Sequence, residues 1–271
     1  AGIGLIVGLT FVAAGLAFKI SAVPFHMWTP DVYVGAPTPV TAFFASAPKV
    51  AAVAMLVRMA LDTFGSQSDA WQQIVVFAAL ASILVGALGA IGQSNLKRLL
   101  AYSSINNVGF ILIGLAVATP AGASAVLVYL AIYVPMTVGS FVALMMLRSP
   151  TGEQYETFAD IRGLAVRNPA LAWCFLMLMF SLAGIPPLFG FWAKFVVFQA
   201  AVEADMIALA AIGIAASVIS AFYYLNFIKV MFFDEPEGQL EARSSAGHWA
   251  VLAISTILVS PLGYLATPWL G

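Results

Sequence analysis

Apolar runs long enough to cross a membrane, separated by short polar interruptions, set the pattern of this chain. A bilayer core of about 30 Å needs roughly 20 apolar residues per helix, and on that scale the runs predict about eight spans. They lie near residues 1–22, 40–60, 71–92, 99–118, 123–147, 169–199, 204–233 and 248–269. The third run is apolar from Trp71 onward and ends in polar residues and the basic pair Lys97 and Arg98, which reads as a cytoplasmic anchor. Two longer polar stretches remain. In the stretch from Arg148 to Pro169, Phe158, Ile161 and Leu164 recur every three residues, a spacing that suits either a short interfacial helix or a solvated loop. The stretch from Phe232 to Gly247, with its acids, proline and glycine, reads as an exposed linker.

Composition names the solvent. Hydrophobic residues make up 62% of the 271 and charged residues 8%, and the mean hydropathy is +1.01, so the expected fold class is all-α, a polytopic transmembrane helix bundle. A net charge of -1 offers no basic surface to nucleic acid. Cys174 is the single cysteine, and His26 and His248 are the two histidines. A disulfide, a zinc site or a haem built from this chain alone is therefore not expected.

Cations sort by side. Lys97, Arg98, Arg148, Arg162, Arg167, Lys229 and Arg243 fall on one side of the alternating spans and only Arg58 on the other. By the positive-inside rule the first side is cytoplasmic, or the matrix of a mitochondrion, and both chain ends face the opposite side. The first residue is alanine, and no basic region and cleavage site frame the first span, so it does not read as a signal peptide. The sequence reads instead as a fragment or processed product.

Three lysines belong to no loop: Lys19, Lys49 and Lys194. Each costs about 2.5 to 3.5 kcal/mol at a helix centre, and every acid in the chain lies at a span end or in a loop. Either the lysines snorkel to the headgroups, or water, freed backbone carbonyls or a carboxylate elsewhere serves them. Helix breaks favour the second reading. Pro24, Pro30, Pro37 and Pro39 follow Lys19, and Gly184, Pro186, Pro187 and Gly190 precede Lys194. Proline frees carbonyls of the preceding turn, and in lipid these are tolerated only where protein or a wet cavity satisfies them. A lysine beside an interrupted helix, twice in one chain, fits the broken helices of repeat-built transporters. Lysine also suits a proton path, because burial and like charges lower its proton affinity where arginine's cannot be tuned.

The fourth span adds Tyr102, Ser103, Ser104, Asn106 and Asn107 to a helix that is otherwise apolar. Positions 103 and 107 share one face and 102 and 106 the next, so they can line water between lysines or simply bond neighbouring helices. His26, beside Pro24 and Trp28, is a candidate relay at a cavity mouth or an interfacial anchor. Gly2, Gly4 and Gly8 have no strand before them and fit close helix packing rather than a dinucleotide site.

The stretches "FKISAVPFHMWTPDVYVGAPTPVTAFFASAPKVA", "NLKRLLAYSSINNVGF" and "SLAGIPPLFGFWAKF" closely resemble the antiporter-like membrane subunits of respiratory complex I, the NADH:quinone oxidoreductase, nearest the N type. The resemblance implies an antiporter-like inverted-repeat fold of fourteen transmembrane helices, with this chain covering the seventh onward. Residues 1–60 would close the first repeat around a broken helix, 71–233 would form the second five-helix repeat, and 248–269 the terminal span, all in a single transmembrane domain. It also implies roles. Lys19 matches the lysine of the broken seventh helix, Lys49 the eighth-helix lysine and Lys194 the basic residue of the broken twelfth helix, where the M type usually has glutamate. The family's glutamate partner to the seventh-helix lysine would lie outside this sequence. Asn107 stands where many relatives have histidine.

The function so implied is proton translocation by a non-redox subunit, coupled to quinone reduction elsewhere. NADH, FMN, iron–sulfur clusters and quinone would then belong to other subunits, with none in this chain. The expected partners are lipids and M-type and K-type neighbours, in a bacterial inner membrane rather than a mitochondrial one, with the chain ends periplasmic. A multisubunit cation/proton antiporter or membrane-bound hydrogenase shares the lysines. A structural scaffold is the third reading, and it gives no reason for lysines beside helix breaks.

Overall fold

The computed structural model describes residues 3–240 and 245–269. Gly2 and Arg243 lie outside them. The described chain is helical: α1 (Ile3–Ile20), α2 (Trp28–Gly35), α3 (Thr38–Ala45), α4 (Ala47–Arg58), α5 (Ser68–Ala90), α6 (Leu96–Ala116), α7 (Pro120–Met145), α8 (Leu164–Arg167), α9 (Pro169–Ala183), α10 (Phe189–Glu203), α11 (Ile207–Phe233) and α12 (Ala246–Val259). Among the described residues five stretches are long and apolar enough to cross a membrane: Thr38–Thr63, Gly65–Ala90, Leu96–Ala116, Pro120–Met145 and Ile207–Phe233. The other three expected spans contain shorter apolar helices, Val7–Ile20, Pro169–Ala183 and Ala246–Val259. The interruptions fall where proline and glycine predict them: α1 and α2 are split across Pro24, and α9 and α10 across Gly184 to Leu188.

Helix α6 is the axis of the bundle. Every one of its residues except Arg98 and Tyr102 is buried, which explains why its apolar and polar positions follow no single stripe. It packs most closely on α5, where a methyl group added to Gly86 would stand 2.7 Å from the Asn106 Cα. Only glycine lets the two backbones approach so far. Around this pair α7 contacts α3, α9, α10 and α12, while α11 closes against α5 and α9. Helix α1 lies at the margin, packed on α4, with Phe11 and Phe18 exposed.

Most of the ion pairs gather at one end of the bundle. At one end Arg98 pairs with Asp31, Lys97 with Glu156 at 2.8 Å and Arg162 with Glu237 at 2.9 Å. Tyr155 donates to the Gln239 carbonyl there at 3.0 Å. The far end is marked by Arg58 against Asp62 and by Gln72, which donates to the Ala116 carbonyl at 2.7 Å.

Two expectations need correction. Lys97 is not a surface anchor: it is buried, donates to the Ala36 carbonyl at 3.0 Å and meets Glu156. The acid that draws it inward comes from a loop 59 residues further on, too far for sequence spacing to reveal. The Phe158 to Leu164 stretch is turns rather than an interfacial helix, with only Leu164–Arg167 helical. Its three apolar residues still face inward: Ile161 and Leu164 are buried, and Phe158 stands edge-on to Phe227.

Candidate functional site

The first break is closed by protein groups. After α1 the chain turns at Ser21, with φ 68°. The Trp28 indole donates to the Phe18 carbonyl at 2.9 Å, Thr29 donates to the Ser21 hydroxyl at 2.7 Å, and the Val23 amide donates to Ser82 at 2.9 Å. Trp28 thus caps the end of α1. His26 is half-buried, and its Nδ1 is enclosed without a hydrogen-bond partner among the described residues.

Lys19, in the last turn of α1, departs from the expectation of burial. It is exposed, and among the described residues it forms no ion pair. Its helix is packed on one side only, and Lys19 falls on the outward face with Phe11 and Phe18.

Lys49 is enclosed, 1% exposed, in the first turn of α4. Its ammonium donates to the Ser104 hydroxyl of α6, which also bonds the Tyr133 hydroxyl of α7 at 2.9 Å. Tyr33 of α2 is buried nearby against Phe141 of α7, with ring centres 6.0 Å apart. No carboxylate among the described residues reaches Lys49, so neutral hydroxyls are what receive its charge.

One residue away on α6 a second cluster begins. Ser103 shares a hydrogen bond with the Tyr224 hydroxyl of α11. Tyr129 of α7 donates to Asn107 Oδ1 at 2.7 Å, while Asn107 Nδ2 donates to the Ser103 carbonyl at 2.7 Å and faces the Tyr224 hydroxyl at 3.5 Å. Consecutive serines on a helix point about 100° apart, so Ser104 and Ser103 serve different flanks of the same axis.

Lys194 sits on α10 just past the second break and is 6% exposed. It donates to the Ala183 carbonyl, freed at the end of α9, at 2.9 Å and to the Ser217 hydroxyl of α11 at 2.9 Å, and it lies 4.6 Å from the centre of the Phe110 ring. A backbone carbonyl and a π face thus take the place of a counter-ion. It lines a cavity of about 660 Å³ with Ser217, Phe198, Gln199 and Glu203. Pro186 and Pro187 make the break and are themselves exposed.

The fourth-span candidates divide. Ser103, Ser104 and Asn107 join the clusters, whereas Asn106 donates to the Ile83 carbonyl of α5 at 2.9 Å and half-buried Tyr102 packs against Gly89. Both of these make their contacts with α5. Sequence reasoning missed Tyr129, Tyr133, Ser217 and Tyr224. A signal was present in the four-residue spacing of Tyr129 and Tyr133 and in the seven-residue spacing of Ser217 and Tyr224, each of which defines a helix face.

A helix bundle of membrane-spanning length, with two interrupted helices and two buried lysines, Lys49 and Lys194, held by hydroxyls, a carbonyl and a ring face, has the architecture of a charge-moving membrane transporter. A family model described as NADH:quinone oxidoreductase/Mrp antiporter, TM, matches residues 1–220, and the chain belongs to that family. NADH-quinone oxidoreductase subunit N of Erythrobacter litoralis is 70% identical over 268 residues, 99% of this chain and 55% of the relative. Subunit N of Rhizorhabdus wittichii is 57% identical over 99% of this chain and 56% of its own length. The chain spans about half the length of the curated relatives it matches. A chain of respiratory complex I from Thermus thermophilus superimposes with a TM-score of 0.82 and 35% identity, over 94% of this chain and 56% of that one. The Mrp complex from Dietzia sp. matches with a TM-score of 0.79 and 25% identity, over the same shares.

Proposed function

We propose that this chain forms part of subunit N of a bacterial NADH:quinone oxidoreductase and carries protons across the inner membrane through Lys49 and Lys194. The observation that carries the reading is Lys49, enclosed with no carboxylate among the described residues and held on a chain of hydroxyls. A purely structural lysine gains nothing from such a place, since an isolated buried charge is costly, whereas a group that takes and gives up protons needs it. Redox chemistry with NADH, FMN, iron–sulfur clusters and quinone belongs in this reading to other subunits. The cation-rich end of the bundle faces the cytoplasm and the chain ends face the periplasm. The exposed Lys19 face of α1 meets the carboxylate-bearing remainder of the subunit, and the M-type and K-type neighbours and lipids cover further outer surface.

The test is made on the full-length subunit in its native complex. Purification should bring flavin, iron–sulfur absorbance and inhibitor-sensitive NADH:quinone activity with it. Lys49→Met and Lys194→Met should assemble and yet slow proton pumping in inverted vesicles by about a hundredfold or more, the scale of losing a positioned proton-transfer group. Full coupled pumping in both variants would exclude the mechanism. The likeness to the Mrp complex favours a second reading, cation/proton exchange without redox centres. That reading predicts sodium-dependent proton movement in vesicles and a purified complex free of flavin.

A further inference from the structure

On the side of α11 turned away from Lys194 a second cavity opens, of about 240 Å³. Asn226, which lines it, lies nine residues beyond Ser217 and so half a turn round the helix. Gln93 and Ser94, from the turn between α5 and α6, form one wall and Tyr223 and Asn226 of α11 the other, while Arg162 and Asp234 complete it at the ion-paired end of the bundle. The cavity runs deep. From Phe233, the last residue of α11, to Tyr223 is ten residues, about 15 Å at roughly 1.5 Å per residue, or half of a bilayer core of about 30 Å. Asn226 points to water as the occupant. An amide in an apolar span is costly against lipid and cheap against water, and Asn226 is exposed, with no side-chain hydrogen bond among the described residues. The volume has room for about eight waters at roughly 30 Å³ each.

Tyr223 forms the inner wall. It is buried, and its ring centre lies 4.3 Å from that of Tyr224. Tyr224 in turn shares a hydrogen bond with Ser103 and faces Asn107 Nδ2 at 3.5 Å. One aromatic ring thus separates the cavity from the hydroxyl cluster on α6. No hydrogen bond among the described residues ties down the Tyr223 hydroxyl, so packing alone holds that ring in place.

We propose that this cavity is an aqueous intake through which protons from the ion-paired face reach the Ser103, Tyr224 and Asn107 cluster, with the Tyr223 ring as the barrier at its inner end. At each step along the water an O–H bond forms on a lone pair of one oxygen while another O–H bond of that oxygen breaks, so charge advances and the oxygens stay. The neutral amine of a buried lysine ends the sequence by forming an N–H bond with the last proton. The inference rests on the proton-carrying reading above and adds to it a point of entry between the two lysines. Ser103 adjoins Ser104, which receives Lys49, and Tyr224 shares a face of α11 with Ser217, which receives Lys194.

The experiment uses the full-length subunit in its native complex, in inverted vesicles with the cytoplasmic face outward. A charged, membrane-impermeant thiosulfonate is the probe, and labelling is read as a mass shift of this subunit. Asn226→Cys is expected to react at least about tenfold faster than Leu225→Cys, its exposed neighbour on the same helix, because a thiol ionises in water and not in lipid. In right-side-out vesicles it should not react. On labelling, NADH-driven pumping by Asn226→Cys should fall about a hundredfold relative to equally treated parental vesicles, the scale of losing a positioned proton-transfer group. Reaction no faster than that of Leu225→Cys would place lipid in the cavity and overturn the proposal, and full labelling with unchanged pumping would overturn it too. If Asn226→Cys does not assemble, Gln93→Cys on the facing wall carries the same two readouts. Lys49→Met and Lys194→Met run in parallel separate the two levels. Pumping lost in them but kept in labelled Asn226→Cys removes the intake alone, whereas pumping kept in both removes the reading beneath it as well.

Discussion

At Asn107 an amide stands between two tyrosines, and its chemistry differs from that of an imidazole in one decisive way. It can donate and accept at once, but it cannot take up a proton near neutral pH. Here Oδ1 is committed to Tyr129 and Nδ2 to the Ser103 carbonyl, so the amide fixes the orientation of its neighbours. Asn107→Leu should strand the Tyr129 hydroxyl, cost about 1–3 kcal/mol and slow pumping by disordering Tyr224. Unchanged pumping and unchanged thermal unfolding of the purified complex would remove Asn107 from the site. The residue scale is also where the sequence was least legible. Lys49 and Lys194 stood out because charge in an apolar run is costly, whereas Tyr129, Tyr133 and Tyr224 passed as ordinary aromatic content. A tyrosine hydroxyl adds little to hydropathy, and its role becomes visible only when packing brings a partner to it.

At the scale of elements, the breaks were readable because proline and glycine act locally. What each break does for its lysine was readable in one case only. The α9–α10 break turns on Gly184, with φ 80°, and a methyl group added there would lie 2.8 Å from Lys194 Cδ. Gly184→Ala should therefore cost about 1–2 kcal/mol in backbone strain and push the lysine stem away from the Ala183 carbonyl. The expected outcome is reduced pumping in an assembled complex, and pumping at the parental rate would show that the stem has room to move. The α1–α2 break instead leaves Lys19 on an outer face. Burial is a property of the surroundings, and a sequence that covers about half its relatives' length does not contain all of them.

For the whole molecule, the sorting of cations to one end followed from span alternation, but the stitching of that end did not. Lys97 joins the C-terminal end of α2 to the Glu156 loop, and neither partner is near it in sequence. Glu156→Gln should leave Lys97 buried without its counter-charge and cost about 2 kcal/mol, below the roughly 3–5 of a fully buried pair because Glu156 keeps some contact with water. Amide hydrogen exchange near Ala36 should quicken. Exchange at the parental rate in Glu156→Gln would show that the loop holds without the ion pair.

The enclosure of α6 also bears on how the protein is made. A helix with almost no lipid-facing side, carrying two serines and two asparagines, is a poor candidate to leave the insertion machinery alone. Its neighbours α5 and α7 are synthesised just before and after it, but Tyr224, which shares a hydrogen bond with Ser103, lies 121 residues downstream. At the pace of translation, roughly 5–20 residues per second, α6 must wait several seconds for α11. For that interval α5 and α7 can satisfy Ser104, Asn106 and Asn107, while Ser103 lacks its Tyr224 partner.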